Sequence, residues 1–79
     1  MKPTIGRIVV YNTTEKERLL MDVENCNLQK QLPAVVVSVW SETCVNLKVL
    51  LDGPRGYLWV ASVQQGDDER NWNWPQREA

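Results

Sequence analysis

Apolar and polar residues alternate across residues 43–51 until the end of the run, and this alternation constrains the fold more than any other feature of the chain. The polar positions in its middle are Asn46 and Lys48, and the apolar positions are Val45, Leu47, Val49 and Leu51. Successive side chains of a β-strand point to opposite faces, so a period of two predicts a strand with one buried face. We therefore expect the apolar row to point into the core of an antiparallel β protein.

Three more strands are predicted around this one. Runs rich in β-branched and aromatic residues, which favour strands, occur at residues 5–11, 34–40 and 57–63. Pro33 is expected to open the second of these strands, a position where a proline loses no ladder hydrogen bond. Ser41-Glu42 predicts a tight connection, and residues 52–56 have the composition of a turn.

The segment between residues 12 and 32 allows two interpretations. Thr14 and Glu17 have the spacing of a capping box, in which each side chain bonds the backbone N–H of the other residue. A helix starting there would carry one apolar face, formed by Leu19, Leu20 and Val23. Asn25-Cys26-Asn27 would break such a helix. The sequence thus predicts either a short helix near 14–23 or an irregular loop or long hairpin.

Residues 1–79 are predicted to form one small β domain, because a chain of this length has room for one core. Its short strands and turns predict a mainly β fold, a small bent antiparallel barrel. The element order resembles a Src-homology-3-like barrel: an opening strand containing Gly6–Val9, a long loop, two strands joined by a short turn, and a closing strand. A two-layer α+β sheet covered by the 14–23 helix is the alternative. Residues 64–79 are predicted as a tail that folds back through its tryptophan pair.

The composition disfavours several classes of function. The chain has no histidine, which removes imidazole bases, histidine-dependent triads and histidine-ligated metals. Its two cysteines form no CxxC pair, so no enzymatic activity, cofactor or metal site is expected. A net charge of −1 disfavours duplex DNA as a partner. The N-terminal residues lack the apolar segment of a signal peptide and no apolar run is long enough to cross a membrane, so a cytoplasmic protein is expected.

The tryptophans depart furthest from ordinary composition, with four in the chain and no phenylalanine. Trp40 follows a run of valines and is predicted to anchor the core. Tyr57 and Trp59 share one face of their strand, so they belong either to the core or to an exposed aromatic pair. Trp72 and Trp74 lie two residues apart before a proline, which favours an extended backbone with both rings on one side. These two rings either cap the open end of the barrel or bind a ligand.

A ligand site is predicted from the turn and the aromatic residues together. Arg55 lies in a glycine-flanked loop, whose backbone N–H groups can cradle an anion while the guanidinium adds a bidentate contact. Aromatic rings stack on nucleobases. The candidate residues for binding a nucleotide-like ligand are therefore Arg55, Tyr57, Trp59, Trp72 and Trp74. An ordinary solvated turn at Arg55 is the alternative. The apolar content of 43% and the surplus of tryptophan also predict a homo-oligomer.

An ordered set of motifs carries a resemblance. The stretch Trp40–Val49 is followed by Asp52-Gly53, by W-V-A-S-V at Trp59–Val63, and by W-N-W-P at Trp72–Pro75. This set is similar to a group of small phage- and prophage-encoded proteins, mostly of unknown function. The resemblance implies an accessory protein that acts in the cytoplasm of a bacterial host. It transfers no binding or catalytic residue to this chain.

The leading hypothesis is a non-enzymatic small-barrel binding module of phage origin, an accessory or counter-defence protein that sequesters a small anionic, nucleotide-like ligand. Two alternatives stand beside it. One is a protein–protein interaction module that blocks or bridges a host or phage protein. The other is single-stranded nucleic-acid binding, which the net charge of −1 disfavours.

Overall fold

The computed structural model of the protein describes residues 2–17, 30–51 and 56–75, and these residues form one antiparallel sheet. Its five strands lie side by side in the order β4-β3-β2-β1-β5. In chain order they are β1 (Ile8–Asn12), β2 (Gln31–Val39), β3 (Cys44–Leu50), β4 (Tyr57–Gln64) and β5 (Trp72–Asn73). The prediction of a mainly β, bent antiparallel fold is confirmed.

The strands form a meander whose last strand returns to the first. Strands β1 to β3 each pair with the next strand in sequence, and β5 pairs with the other side of β1, where Trp72 faces Tyr11. A parallel bridge joins Gln65 to Trp72, and the Gly66 N–H donates to the Trp72 carbonyl at 3.0 Å. This bridge draws the end of β4 towards β5. The sheet therefore curls into a partly closed barrel with the predicted Src-homology-3-like strand order.

The core lies on the inner face of the curled sheet. The row predicted from the alternation is confirmed, because Val45, Leu47 and Val49 are fully buried and Leu51 is partly buried against them. The other strands contribute the remaining buried apolar side chains, which are Val9, Tyr11, Leu32, Ala34, Val36, Val60, Val63 and Trp72. Burial of these side chains supplies the main favourable free energy of folding.

Two strands begin at other residues than predicted. Strand β1 starts at Ile8, because Ile5 and Gly6 form a turn in which Gly6 has a φ of +93°, a region that favours glycine. Strand β2 starts at Gln31, two residues before Pro33. Its pairing with β3 begins only at Ala34, so Pro33 precedes the part of β2 that is paired on both sides.

Two β-bulges meet at Asn46 and bend the sheet. On β2, Val37 is an extra residue beside the Ser38–Asn46 pair, and on β4 both Ala61 and Ser62 face Asn46. Ser62 has a φ of +54°, and its N–H donates to the Asn46 side-chain oxygen at 2.8 Å. One extra residue reverses the alternation of side chains along a strand. This reversal explains why the inward positions of β4 change from even to odd numbers.

The prediction that Trp40 anchors the core is wrong. Trp40 is 65% exposed, and its indole N–H donates to the Asn46 side-chain oxygen at 2.8 Å. Without a bulge, Trp40 would follow Leu32, Ala34 and Val36 on the inner face. The extra residue at Val37 places it on the outside instead.

The predicted capping box is present. The Thr14 N–H donates to Glu17 Oε1 at 2.8 Å, the Glu17 N–H donates to Thr14 Oγ1 at 3.1 Å, and residues 15–17 form a helical turn. The Tyr11 hydroxyl donates to the same carboxylate at 2.9 Å. Burial, and then this hydrogen bond, raise the pKa of Tyr11 well above its ordinary value. The rest of the predicted 14–23 helix lies outside the described residues.

Candidate functional site

The outer face of the sheet carries adjoining apolar side chains. One row of register partners crosses four strands from Ile8 on β1 to Trp59 on β4, and the next row pairs Leu50 with Tyr57. Register partners on antiparallel strands share a face, so these side chains lie next to one another. Four of them are large exposed side chains, with exposed fractions from 43% at Leu50 to 60% at Tyr57; the other two of these four are Ile8 and Trp59. We call the six residues of these rows the aromatic surface: Ile8, Val35, Lys48, Leu50, Tyr57 and Trp59.

Lys48 supplies a positive charge in the middle of the aromatic surface. Its Nζ lies 4.5 Å from the centroid of the Tyr57 ring, and its register partner on β4 is Trp59. A cation over an aromatic face is attracted by the negative quadrupole of the ring. Trp40 adds a third exposed ring at the end of this face, because its indole is bonded to Asn46, two residues from Lys48 on the same side of β3.

Tyr57 and Trp59 are thus the two predicted ligand-binding residues that form an exposed surface together. Both are more than half exposed, while the alternate residues Leu58 and Val60 point inward. Arg55 lies outside the described residues.

Trp72 and Trp74 are placed differently from the β4 pair. Trp72 is fully buried, and its indole N–H donates to the Thr43 carbonyl at 3.0 Å. Trp74 is partly buried against the core, with its ring edge-to-face on Trp72 at a centroid distance of 5.4 Å and an angle of 86°. Trp72 therefore has no exposed ring face, whereas Trp74 keeps part of its ring in contact with solvent.

Trp74 borders a polar groove of about 440 Å³ beside β1 and β5, which is lined by Val10, Asn12, Gln31, Asp67, Asn73 and Trp74. Hydrogen bonds orient the polar side chains of this groove. The Gln31 side-chain NH₂ donates to the Asn12 side-chain oxygen at 3.1 Å, and that of Asn73 donates to Asp67 Oδ1 at 3.0 Å. The groove therefore presents amide and carboxylate groups beside an indole ring.

The aromatic surface and the groove beside Trp74 are two separate candidate binding surfaces on the described residues. Tyr57 and Trp59 lie on β4 at one edge of the sheet, and Trp74 follows β5 at the other edge, with three strands between them. The aromatic surface is apolar with one cation, while the groove beside Trp74 is polar with one carboxylate. Their chemistries differ, so they suit different ligands.

Several residues of these surfaces were not found by sequence reasoning. One signal was available, because Val49, Leu50 and Leu51 are three apolar residues in a row and one of them must lie on the outer face. Lys48 is an exception, because the alternation predicts it on the outer face as a candidate cation. The amides of the groove gave no signal, because Asn12, Gln31 and Asn73 come from three distant segments.

No protein-family model, curated protein or solved structure matches this chain. Among the described residues, no group of three or more His, Cys, Asp or Glu side chains is arranged to hold a metal ion. Cys44 is a partly buried free thiol, and Cys26 lies outside the described ranges. The helical residues that the structure describes include no helix with the length and apolar character needed to cross a membrane.

Proposed function

We propose that this protein is a non-enzymatic interaction module that binds a protein partner through the aromatic surface. The observation that carries the proposal is the adjoining exposure of Ile8, Leu50, Tyr57 and Trp59 on one face of the sheet. Exposed apolar patches of this kind mark interaction sites in folded proteins. Tyrosine and tryptophan are the residue types that most often anchor such interfaces.

The shape of this surface favours a protein over a small molecule. Small ligands bind in concave sites that enclose most of their surface. Tyr57 and Trp59 instead stand on the outer face of a curled sheet, and both are more than half exposed. A nucleotide there would keep much of its surface in water. A protein surface covers several exposed side chains at once, and Lys48 offers it one charged contact.

A second candidate is binding of a nucleotide or of single-stranded nucleic acid. The observation that favours it is the set Tyr57, Lys48 and Trp59, in which a cation adjoins two rings on one face. The two rings are two residues apart along a strand, or about 6.8 Å, which leaves room for a base against each ring. We rank it second because the neighbouring side chains Ile8, Val35 and Leu50 are apolar.

The resemblance to phage-encoded proteins supports a narrower form of the proposal. In that form the module is an accessory or counter-defence protein in the cytoplasm of a bacterial host, and its partner is a host or phage protein. The motifs that carry the resemblance include Trp59–Val63 on β4.

The proposal is tested by comparing three tagged baits in lysates of phage-infected and uninfected bacteria. The baits are the wild type, Trp59→Ala on the aromatic surface, and Ile5→Ala as a control at an exposed apolar residue outside the strands. We expect a specific protein that the wild type and Ile5→Ala retain and Trp59→Ala loses. Equal capture by all three baits would reject the aromatic surface as the site.

A tryptophan-fluorescence titration with cyclic and linear nucleotides and with a short single-stranded oligonucleotide tests the second candidate. We expect no change in emission at high micromolar concentration. Saturable quenching that Trp59→Phe abolishes would replace the protein partner with a stacked base as the ligand of the aromatic surface.

A further inference from the structure

Strand β4 is an edge strand with only one of the features that usually protect an edge, the β-bulge at Ala61 and Ser62. It is the last strand of the sheet, and in the described part of the chain no strand pairs with the outer side of Tyr57–Gln64; the bridge of Gln65 to Trp72 lies just beyond its end. Its eight residues, Tyr57–Gln64, include no charged residue and no proline. Edge strands in soluble proteins are usually short, charged or interrupted by proline, because their free N–H and C=O groups attract other strands.

The opposite edge of the sheet is protected. Strand β5 has two residues, Trp72 and Asn73, and Pro75 follows shortly after it. On β4 the bulge at Ala61 and Ser62 interrupts the strand only near its end, so the regular part spans Tyr57–Val60. This regular part carries the two exposed rings of the aromatic surface.

We propose that β4 pairs with β4 of a second copy of this chain, antiparallel and about a two-fold axis, so that one sheet continues through both copies. The inference rests on the proposed function and names one partner of the aromatic surface. An unpaired strand edge binds another strand by backbone hydrogen bonds, and an antiparallel pair of identical strands is self-complementary.

The charge of the chain favours a second copy as the occupant. Strand β4 carries no charged residue, so pairing two copies of it brings no like charges together in any register. The whole chain carries a net charge of −1, so two copies repel each other weakly. Pairing also places the exposed rings of Tyr57 and Trp59 next to the β4 strand of the second copy.

The test measures the mass of the protein in solution by sedimentation equilibrium over micromolar concentrations. The wild type is expected at about twice the chain mass of 9.1 kDa. Trp59→Lys places a cation on each of the two adjoining strands and removes an exposed ring from their boundary, and it is expected to weaken the dimer by at least about tenfold. Ile8→Lys is the matched control, since Ile8 is on the same face but three strands from the edge.

Three outcomes decide the inference. A wild type that is monomeric at every concentration would overturn it. Equal loss of dimer affinity in Trp59→Lys and Ile8→Lys would also overturn it, because the contact would then lie on the face of the sheet. Dimer loss confined to Trp59→Lys supports it. Should Trp59→Lys fail to fold, hydrogen exchange of the wild type decides, since amides of β4 must become more protected as the concentration rises. The wild type could sediment as a monomer and still capture a protein that Trp59→Ala does not capture. That result would refute the β4 pair and leave the proposed function intact.

Discussion

Replacing Trp72 tests whether this side chain is a structural part of the core. Trp72 is fully buried, contacts Trp74 edge-to-face, and donates its indole N–H to the Thr43 carbonyl at 3.0 Å. Trp72→Ala is expected to cost about 3–5 kcal/mol of unfolding free energy through lost burial and the cavity left behind. Domains of this size have a total stability of about 4–12 kcal/mol, so the loss is a large fraction of it. Trp72→Phe retains an aromatic ring and removes one of the two hydrogen bonds that the Thr43 carbonyl accepts, since the Gln65 N–H still donates to it at 2.8 Å. Loss of that bond is expected to cost about 0.5–1.5 kcal/mol.

The assay for Trp72 is urea denaturation followed by far-UV circular dichroism, which does not depend on tryptophan emission. The midpoints should fall from wild type to Trp72→Phe to Trp72→Ala, with equal slopes in the transition region. Trp74→Ala is the control, because this neighbouring ring is only partly buried and its removal should cost less than that of Trp72. A Trp72→Ala midpoint equal to that of the wild type would refute the reasoning, as would a larger loss from Trp74→Ala.

Two further predictions concern the bulges and the buried tyrosine. Asn46→Ala removes the oxygen that accepts hydrogen bonds from the N–H groups of Ser62 and Trp40, so it should lower the unfolding free energy by about 1–2 kcal/mol in the same urea assay. Asn46→Asp retains an accepting oxygen and should lower the unfolding free energy less. The pKa of Tyr11 is higher in the folded than in the unfolded chain, so its contribution is complete below the unfolded pKa of about 10 and is lost as pH rises above that value. Unfolding midpoints between pH 8 and 11 should therefore fall more steeply for the wild type than for Tyr11→Phe, and parallel curves would contradict this linkage.

The strands and the core row were predictable because they depend on local pattern. The alternation through Val45, Leu47 and Val49 fixes which side chains of β3 face the core, whatever the strand pairs with. The capping box of Thr14 and Glu17 is similarly local, since its two partners are three residues apart. These features arise from interactions between residues that are close in sequence, so the sequence alone predicts them.

Features that depend on contacts between strands were harder to predict. The local sequence predicts Trp40 in the core, and this is wrong because the bulge at Val37 forms only when β2 pairs with β3. The sequence does not decide the exposure of Tyr57 and Trp59, because β4 has apolar residues on both faces and the pattern does not show which face is covered. The groove beside Trp74 joins distant segments, so only the fold reveals it.

The pairing of β5 with β1 determines the order in which parts of the domain can fold. Tyr11 and Trp72 are register partners, yet 60 residues separate them along the chain. Closing so long a loop is slow compared with forming the β2–β3–β4 meander from neighbouring residues. During translation the meander emerges from the ribosome before Trp72, the largest fully buried side chain. The nascent chain exposes its future interior until Trp72 emerges, and this is the interval in which a chaperone has an apolar surface to hold.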